Sequence, residues 1–310
     1  MPQARGSNLV PLLTLVSVLA CAPDAGVLME PAVDAPTFAH EVSEPLVVSG
    51  GFEAPESAAH DPVADAYYIS NVGDLFSDAN DGFISRLSPD GTILDLRWVE
   101  GDAANPLISP TGVMVEGRTL YIVDRTALRR YDLRTQSWLA PIALPDDGLF
   151  FNDVCSSGQG RIYVTGTDLS VFDGNLDAAG ALYVVERGTA SRYLPGADVG
   201  NPNGCLGQRG VTWVSFLPEG GVYSANPSGR VELVATTPGA GMIDGIVLAG
   251  GHYYFTTWEA GGVYRIGVNG RGLEEVFPIG SPASLEYDAR RGQLIVPSLF
   301  GNEVIIVPIR

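Results

Sequence analysis

The stretch Leu149-Phe150-Phe151-Asn152-Asp153-Val154 places a polar side chain, Asn152, at the head of an apolar segment, and eleven residues later Tyr163 centres the strand Arg161-Ile162-Tyr163-Val164-Thr165. The same construction recurs. Asn203 stands ten residues before Trp213, Asp244 ten before Tyr254, and Glu56 twelve before Tyr68. Four side chains able to hold a metal thus occupy one equivalent place in four repeats. Repeats arranged around an axis would bring those four side chains together.

Working outward, the second strands of successive repeats align on Tyr68, Tyr121, Tyr163, Trp213, Tyr254 and Ile295, at spacings of 53, 42, 50, 41 and 41 residues. Several short strands per period, with periods in the forties, predict a β-propeller. Thirty-eight glycines and 22 prolines suit such a turn-rich all-β chain. The expectation is therefore a six-bladed propeller over residues 45–310. The last repeat is one strand short, while Pro45-Leu46-Val47-Val48-Ser49 precedes the first repeat without a partner. That N-terminal strand is expected to complete the sixth blade, which removes exposed sheet edges.

Residues 1–21 read as an export signal, with Arg5 before the apolar run Leu9 to Ala20, too short to span a bilayer comfortably. The ending Val18-Leu19-Ala20-Cys21 resembles a bacterial lipoprotein cleavage box, with Cys21 as the lipidated residue; the alternative is an ordinary secretory signal. Residues 22–44, rich in Ala, Pro and acidic residues, are expected to form a flexible tether. The implied location is the cell envelope, lipid-anchored, at the outer membrane or periplasm of a Gram-negative host. A net charge of −18 excludes nucleic acid and anionic membrane surfaces as partners. Membrane contact is expected only through the anchor, and the propeller is expected to be a monomer.

The first strand of each propeller blade lines the central channel. Glu56, Thr111, Asn152, Asn203, Asp244 and Ser284 hold roughly its starting position in the six repeats. Two carboxylates and two carboxamides form an all-oxygen donor set suited to Ca²⁺ or Mg²⁺. Mn²⁺ also accepts oxygen, whereas Zn²⁺ usually takes His or Cys. Asp244 or Glu56 would then serve as a general base. The structural alternative is that Asn, Asp and Ser hold turns through side-chain to backbone bonds. Cys155 and Cys205, on inner strands of adjacent blades, form either a disulfide or two buried thiols. The loop Asp74 to Asp81 reads as a solvated acidic turn, since its spacing does not fit an EF-hand. Strand alternation would set His60 on the face of Glu56. Gly-x-Ser-x-Gly and phosphate-binding glycine loops are absent, so serine-hydrolase and nucleotide chemistry have no support.

Pro55-Glu56-Ser57, Phe151-Asn152-Asp153, Pro202-Asn203-Gly204 and Ile243-Asp244-Gly245 resemble the gluconolactonase, regucalcin and luciferin-regenerating enzyme family, as do Gly82 to Gly91 and Thr119 to Asp124. The resemblance covers about residues 45–310 and implies a six-bladed propeller with one divalent cation in the channel. It implies Glu56, Asn203 and Asp244 as metal ligands, Asn152 as a ligand or substrate contact, and Asp244 as general acid/base. The best-known members hydrolyse sugar lactones. Where the regucalcin-like members carry a substrate-contacting arginine, two residues before Asn152, this chain has Phe150, with Leu149 before it. A sugar acid would lose a charge-assisted contact there, so Phe150 points to a more apolar substrate, or to none. The expected function is metal-dependent hydrolysis of a small-molecule lactone or related ester. The alternative is a non-catalytic module that captures a ligand or protein.

Overall fold

The computed structural model describes residues 44–309 apart from Phe76, Gln159 and Gly196. The signal segment, Cys21 and the tether up to residue 43 lie outside the described residues. No helix among the described residues is long and apolar enough to cross a membrane.

Short strands alternate their side chains between two faces, and here both faces are apolar, because each sheet is packed on both sides. Tyr67 and Tyr68 show the consequence: both are buried, yet they belong to different cores. Six four-stranded antiparallel sheets result. Their inner strands are Pro55–Asp61, Val113–Glu116, Phe150–Ser156, Pro202–Gly207, Ile243–Ala249 and Glu286–Asp288. Six apolar clusters fill the interfaces between successive blades.

The sixth sheet is completed by the N-terminal strand Leu46–Ser49, which pairs antiparallel with Glu303–Pro308. Val48 packs with Ile295, Val304 and Ile306 on that blade and with Ile69 and Leu87 of blade 1. The chain is therefore an all-β six-bladed propeller closed by a strand from its other end.

The repeat register needs one correction. Tyr68, Tyr163 and Tyr254 each pack toward the following blade, whereas Trp213 packs back toward blade 3. Residue pairing explains this. Pro55 opposes Asn71, Phe151 opposes Gly166 and Ile243 opposes Thr257, three residues after the aligned tyrosine, but Pro202 opposes Ser215, two after Trp213. Trp213 is one residue out of step, and a one-residue slip reverses the face a side chain occupies.

Candidate functional site

Glu56, Asn152, Asn203 and Asp244 each lie within an irregularity of an inner strand. Pairing is interrupted between Pro55 and Ala58, Phe151 and Val154, Pro202 and Cys205, and Ile243 and Ile246. In each case three steps on the inner strand oppose two on its partner, which is a β-bulge. A bulge re-aims a side chain out of the regular alternation. In three blades a hydroxyl of the neighbouring strand takes up the backbone N–H that the bulge frees. Ser70 Oγ accepts from Ser57, Thr165 Oγ1 from Asp153 and Thr256 Oγ1 from Gly245, each at 2.9 Å. Val214 stands at the matching position of blade 4. The sequence carries this signal as a Ser or Thr two residues after the aligned tyrosine, which strand alternation alone does not reveal.

Contacts around the ring place the bulges in one layer. Ser284 N–H donates to Glu56 O at 2.9 Å, Gly112 N–H to Asn152 O at 2.7 Å and Cys205 N–H to Asp153 Oδ2 at 2.9 Å. A Cβ on Gly204 would lie 2.7 Å from Gly245 Cα, and a Cβ on Gly245 2.7 Å from Ser284 Cα. Glycine is required at both positions, because the inner strands converge too closely for any side chain.

The four expected site residues are all buried. Glu56 Oε2, Asn152 Oδ1, Asn203 Oδ1 and Asp244 Oδ1 have no hydrogen-bond partner among the described residues. A buried acceptor left bare costs about 1–3 kcal/mol, so four would cost on the order of 4–12 kcal/mol. That is comparable to the whole stability of a domain, roughly 5–15 kcal/mol. By contrast, the expected neighbours are already engaged. Thr111 Oγ1 donates to Phe151 O at 3.1 Å, and Asp153 accepts from Val154 N–H at 2.8 Å and from Cys205 N–H.

Electrostatics separates the same residues. Burial, then the charges of Asp244 and Asp153, hold Glu56 well above the usual carboxylate range. Burial pushes Asp244 up to about 7 against the opposing hydrogen bond from Trp258, with Asp153 adding repulsion. That bond runs from Trp258 Nε1 to Asp244 Oδ2 at 2.8 Å. Burial also lifts Asp153 to about 6, despite its two backbone donors. Two buried carboxylates without a counter-charge retain protons; a divalent cation supplies that charge. The donor set fits one: hard oxygen only, two formal negative charges, four oxygens with nothing else to bind. Among the described residues no group of three or more His, Cys, Asp or Glu side chains is arranged to hold a metal. A cation here would therefore depend on Asn152 and Asn203.

Below the bulge layer the channel continues as a cavity of about 180 Å³ lined by Asp153, Cys155, Cys205 and Glu286 among others. Cys155 and Cys205 are joined as a disulfide with Cα atoms 5.8 Å apart. Both cysteines sit in the apolar cluster between blades 3 and 4. Burial raises Glu286 to about 7.

Other sequence candidates fall elsewhere. Phe150, half-buried, begins the inner strand of blade 3. The bulge breaks the alternation expected of Glu56 and His60. His60 instead lies edge-on to Tyr67 at 5.4 Å and within 3.7 Å of Asp288. The loop Asp74 to Asp81 is tied into the protein: Asn80 Oδ1 accepts from Leu107 N–H at 2.6 Å, and Asp78 pairs with Arg125. A cleft of about 990 Å³ opens near the turns of blades 3 and 4 and is lined by Arg161, Glu186, Arg187 and Arg209 among others. None of the four bare oxygens borders it.

No protein-family model matches the sequence. No curated protein matches it either. Solved structures do match in fold. A gluconolactonase from Xanthomonas campestris is 16% identical, with a TM-score of 0.64 over 86% of this chain and 89% of that one. Regucalcin, a calcium-binding protein from Agrobacterium tumefaciens, is 16% identical, with a TM-score of 0.64 over 86% and 94%. Virginiamycin B lyase from Staphylococcus aureus is 14% identical, with a TM-score of 0.57 over 86% and 99%. The chain is thus structurally similar to the gluconolactonase and regucalcin six-bladed propellers at low sequence identity, and its fold neighbours include both lactone-processing and lyase enzymes.

Proposed function

We propose that the protein is a metal-dependent hydrolase of lactones or related esters. The observation that carries this reading is the set of four bare, buried oxygens, each delivered by a bulge at the same level of the channel. Glu56, Asn152, Asn203 and Asp244 would hold one divalent cation, with Ca²⁺ the best match to an all-oxygen set and Mg²⁺, Mn²⁺ or Zn²⁺ as competitors. When bound, such a cation polarises a carbonyl oxygen and lowers the pKa of a coordinated water. Trp258 fixes one oxygen of Asp244 through its indole N–H. Asp244 thereby stands oriented to take up and return a proton as general acid/base. Phe150, in place of a charged residue, favours an apolar substrate. In this reading Cys21 is lipidated, and the propeller works as a monomer at the cell envelope on a small molecule.

Metal analysis of the mature protein, purified without chelator, tests the site beside a Glu56→Ala/Asp244→Ala double variant. One cation per wild-type chain, lost together with lactone and ester hydrolysis in the variant, is the expected result. Hydrolysis that persists in the double variant would refute the mechanism. Phe150 also favours a second reading, a non-catalytic module that captures a ligand. Saturable ligand binding without turnover across a broad lactone and ester screen would select it.

A further inference from the structure

The turns that join the second and third strands of the blades open on the same mouth as the four bulges, because each inner strand starts there and its partner returns there. Among the described residues, four of these turns carry aromatic rings. Phe216 and Trp258 occupy equivalent positions: their N–H groups donate to Asn201 O at 2.8 Å and Met242 O at 3.1 Å, each the residue immediately before its inner strand. Phe300 comes from blade 6. Phe172 comes from a 3-10 turn, Leu169–Asp173, inserted in blade 3.

The rings form a continuous arc. Trp258 is its hub, with centroids 6.2 Å from Phe172, 6.0 Å from Phe216 and 5.7 Å from Phe300, and Phe172 meets Phe216 edge-on at 5.5 Å. Phe216 is buried and Trp258 half-buried, whereas Phe172 is 56% exposed and Phe300 62%. Leu169 and Leu176 extend the apolar surface beside Phe172. The arc is also held rigid. Asp168 caps the 3-10 turn through Ser170 N–H at 2.9 Å, and its own N–H donates to Asn201 Oδ1 at 2.8 Å. Val171 and Ala178 are buried against Phe216. The hub touches the site directly, since the Trp258 indole N–H holds Asp244.

We infer that this arc is the substrate-selecting surface of the channel mouth, and that it takes an aryl ring carried next to the reacting carbonyl. The inference rests on the proposed hydrolase site and specifies its substrate class. A pre-set aromatic edge gives an incoming aryl ring edge-to-face and offset contacts without an ordering cost. It offers a polyhydroxylated ring no hydrogen-bond partner. The pairing of Trp258 with Asp244 fixes the distance between the surface that holds the ring and the acid/base group.

A matched pair of lactones tests this: dihydrocoumarin and δ-valerolactone share the six-membered lactone and differ by a fused benzo ring. With the full-length protein and Ca²⁺, the KM for dihydrocoumarin is expected to be about tenfold below that for δ-valerolactone, the scale of one aromatic contact. Phe172→Ala/Phe300→Ala should collapse that preference. Both side chains are exposed, so thermal melting should show the variant folded. Equal KM values in the wild type, or a preference unchanged in the variant, would overturn the inference. If neither lactone is hydrolysed, the hydrolase reading fails separately, and calorimetric titration with dihydrocoumarin decides. Saturable binding that the variant loses supports the arc. No binding, or equal binding of both lactones, refutes it.

Discussion

Asp244→Asn should stabilise the cation-free protein above neutral pH while abolishing its response to cation. Asp244 has a folded pKa of about 7 against an ordinary 3.8, raised chiefly by burial. The folded state therefore binds the proton more tightly than the unfolded state. The aspartate costs the fold nothing while both states are protonated, below about pH 4. As pH rises from there to about 7, ionisation favours the unfolded chain by about 1.4 kcal/mol per unit of pH, or roughly 4 kcal/mol across the window. Asparagine keeps an oxygen for the Trp258 indole and never ionises. In chelator, the stability difference should therefore be independent of charge at pH 4 and shift by roughly 4 kcal/mol toward the variant by pH 8. Urea unfolding of both proteins at several pH values measures this directly. Supplying Ca²⁺ should narrow that difference, since a ligand at about a hundred times its Kd adds about 2.7 kcal/mol to the protein that binds it, and should erase it near about a thousand times its Kd, where the gain is about 4.1 kcal/mol. A difference that does not change between pH 4 and pH 8 in chelator would refute the reasoning. It would show that the carboxylate is solvated or already neutralised by the protein.

Two further substitutions probe what holds the site in place. Replacing Cys155 and Cys205 by serine opens a loop of 50 residues, and loop-closure entropy alone predicts a loss of about 4 kcal/mol. Denaturant titration showing a loss below about 1 kcal/mol would mean the two inner strands are held together by other contacts. Thr256→Val removes a hydroxyl that accepts from Gly245 N–H at 2.9 Å and donates to Ala283 O at 2.6 Å. With two buried backbone groups left bare, a cost of roughly 2–4 kcal/mol is expected, together with weaker Ca²⁺ binding by calorimetry as the Asp244 bulge relaxes. Unchanged Ca²⁺ affinity in that variant would separate the hydroxyl from the site.

The fold was legible because its cause is repeated. Each blade restates the same alternation, and the unpartnered strand at Leu46–Ser49 had one vacant edge to fill. What escaped the reading were departures from that alternation. A bulge leaves no mark in the hydrophobic pattern, so Glu56 and His60 read as facing one way. Trp213 looked like the counterpart of Tyr163, because both are large aromatics at the middle of a strand. Only the pairing of Pro202 with Ser215 reveals the slip. The same parity explains the disulfide. Cys155 follows Asn152 by three residues and Cys205 follows Asn203 by two, so one cysteine faces the next blade and the other faces back. Had the bulge residues been used as the register mark, the spacing would have pointed the two thiols at each other.

The aromatic arc was beyond reach for a different reason. Phe216 and Trp258 sit at one repeat position, but Phe300 is shifted along its turn and Phe172 lies in an insertion, so no period links the four. Regular strands direct their side chains perpendicular to the sheet, here into the cores between blades rather than toward the axis. The bulges solve this: on the inner strands they occur in the four blades that carry Glu56, Asn152, Asn203 and Asp244. In blade 2, Thr111 commits its hydroxyl to Phe151 O instead. Local irregularity that a fold maintains at a stability cost, and repeats in four blades, is a mark of selected function rather than of packing. Glu56, Asn152, Asn203 and Asp244 carry that mark as a set, and none of them carries it singly.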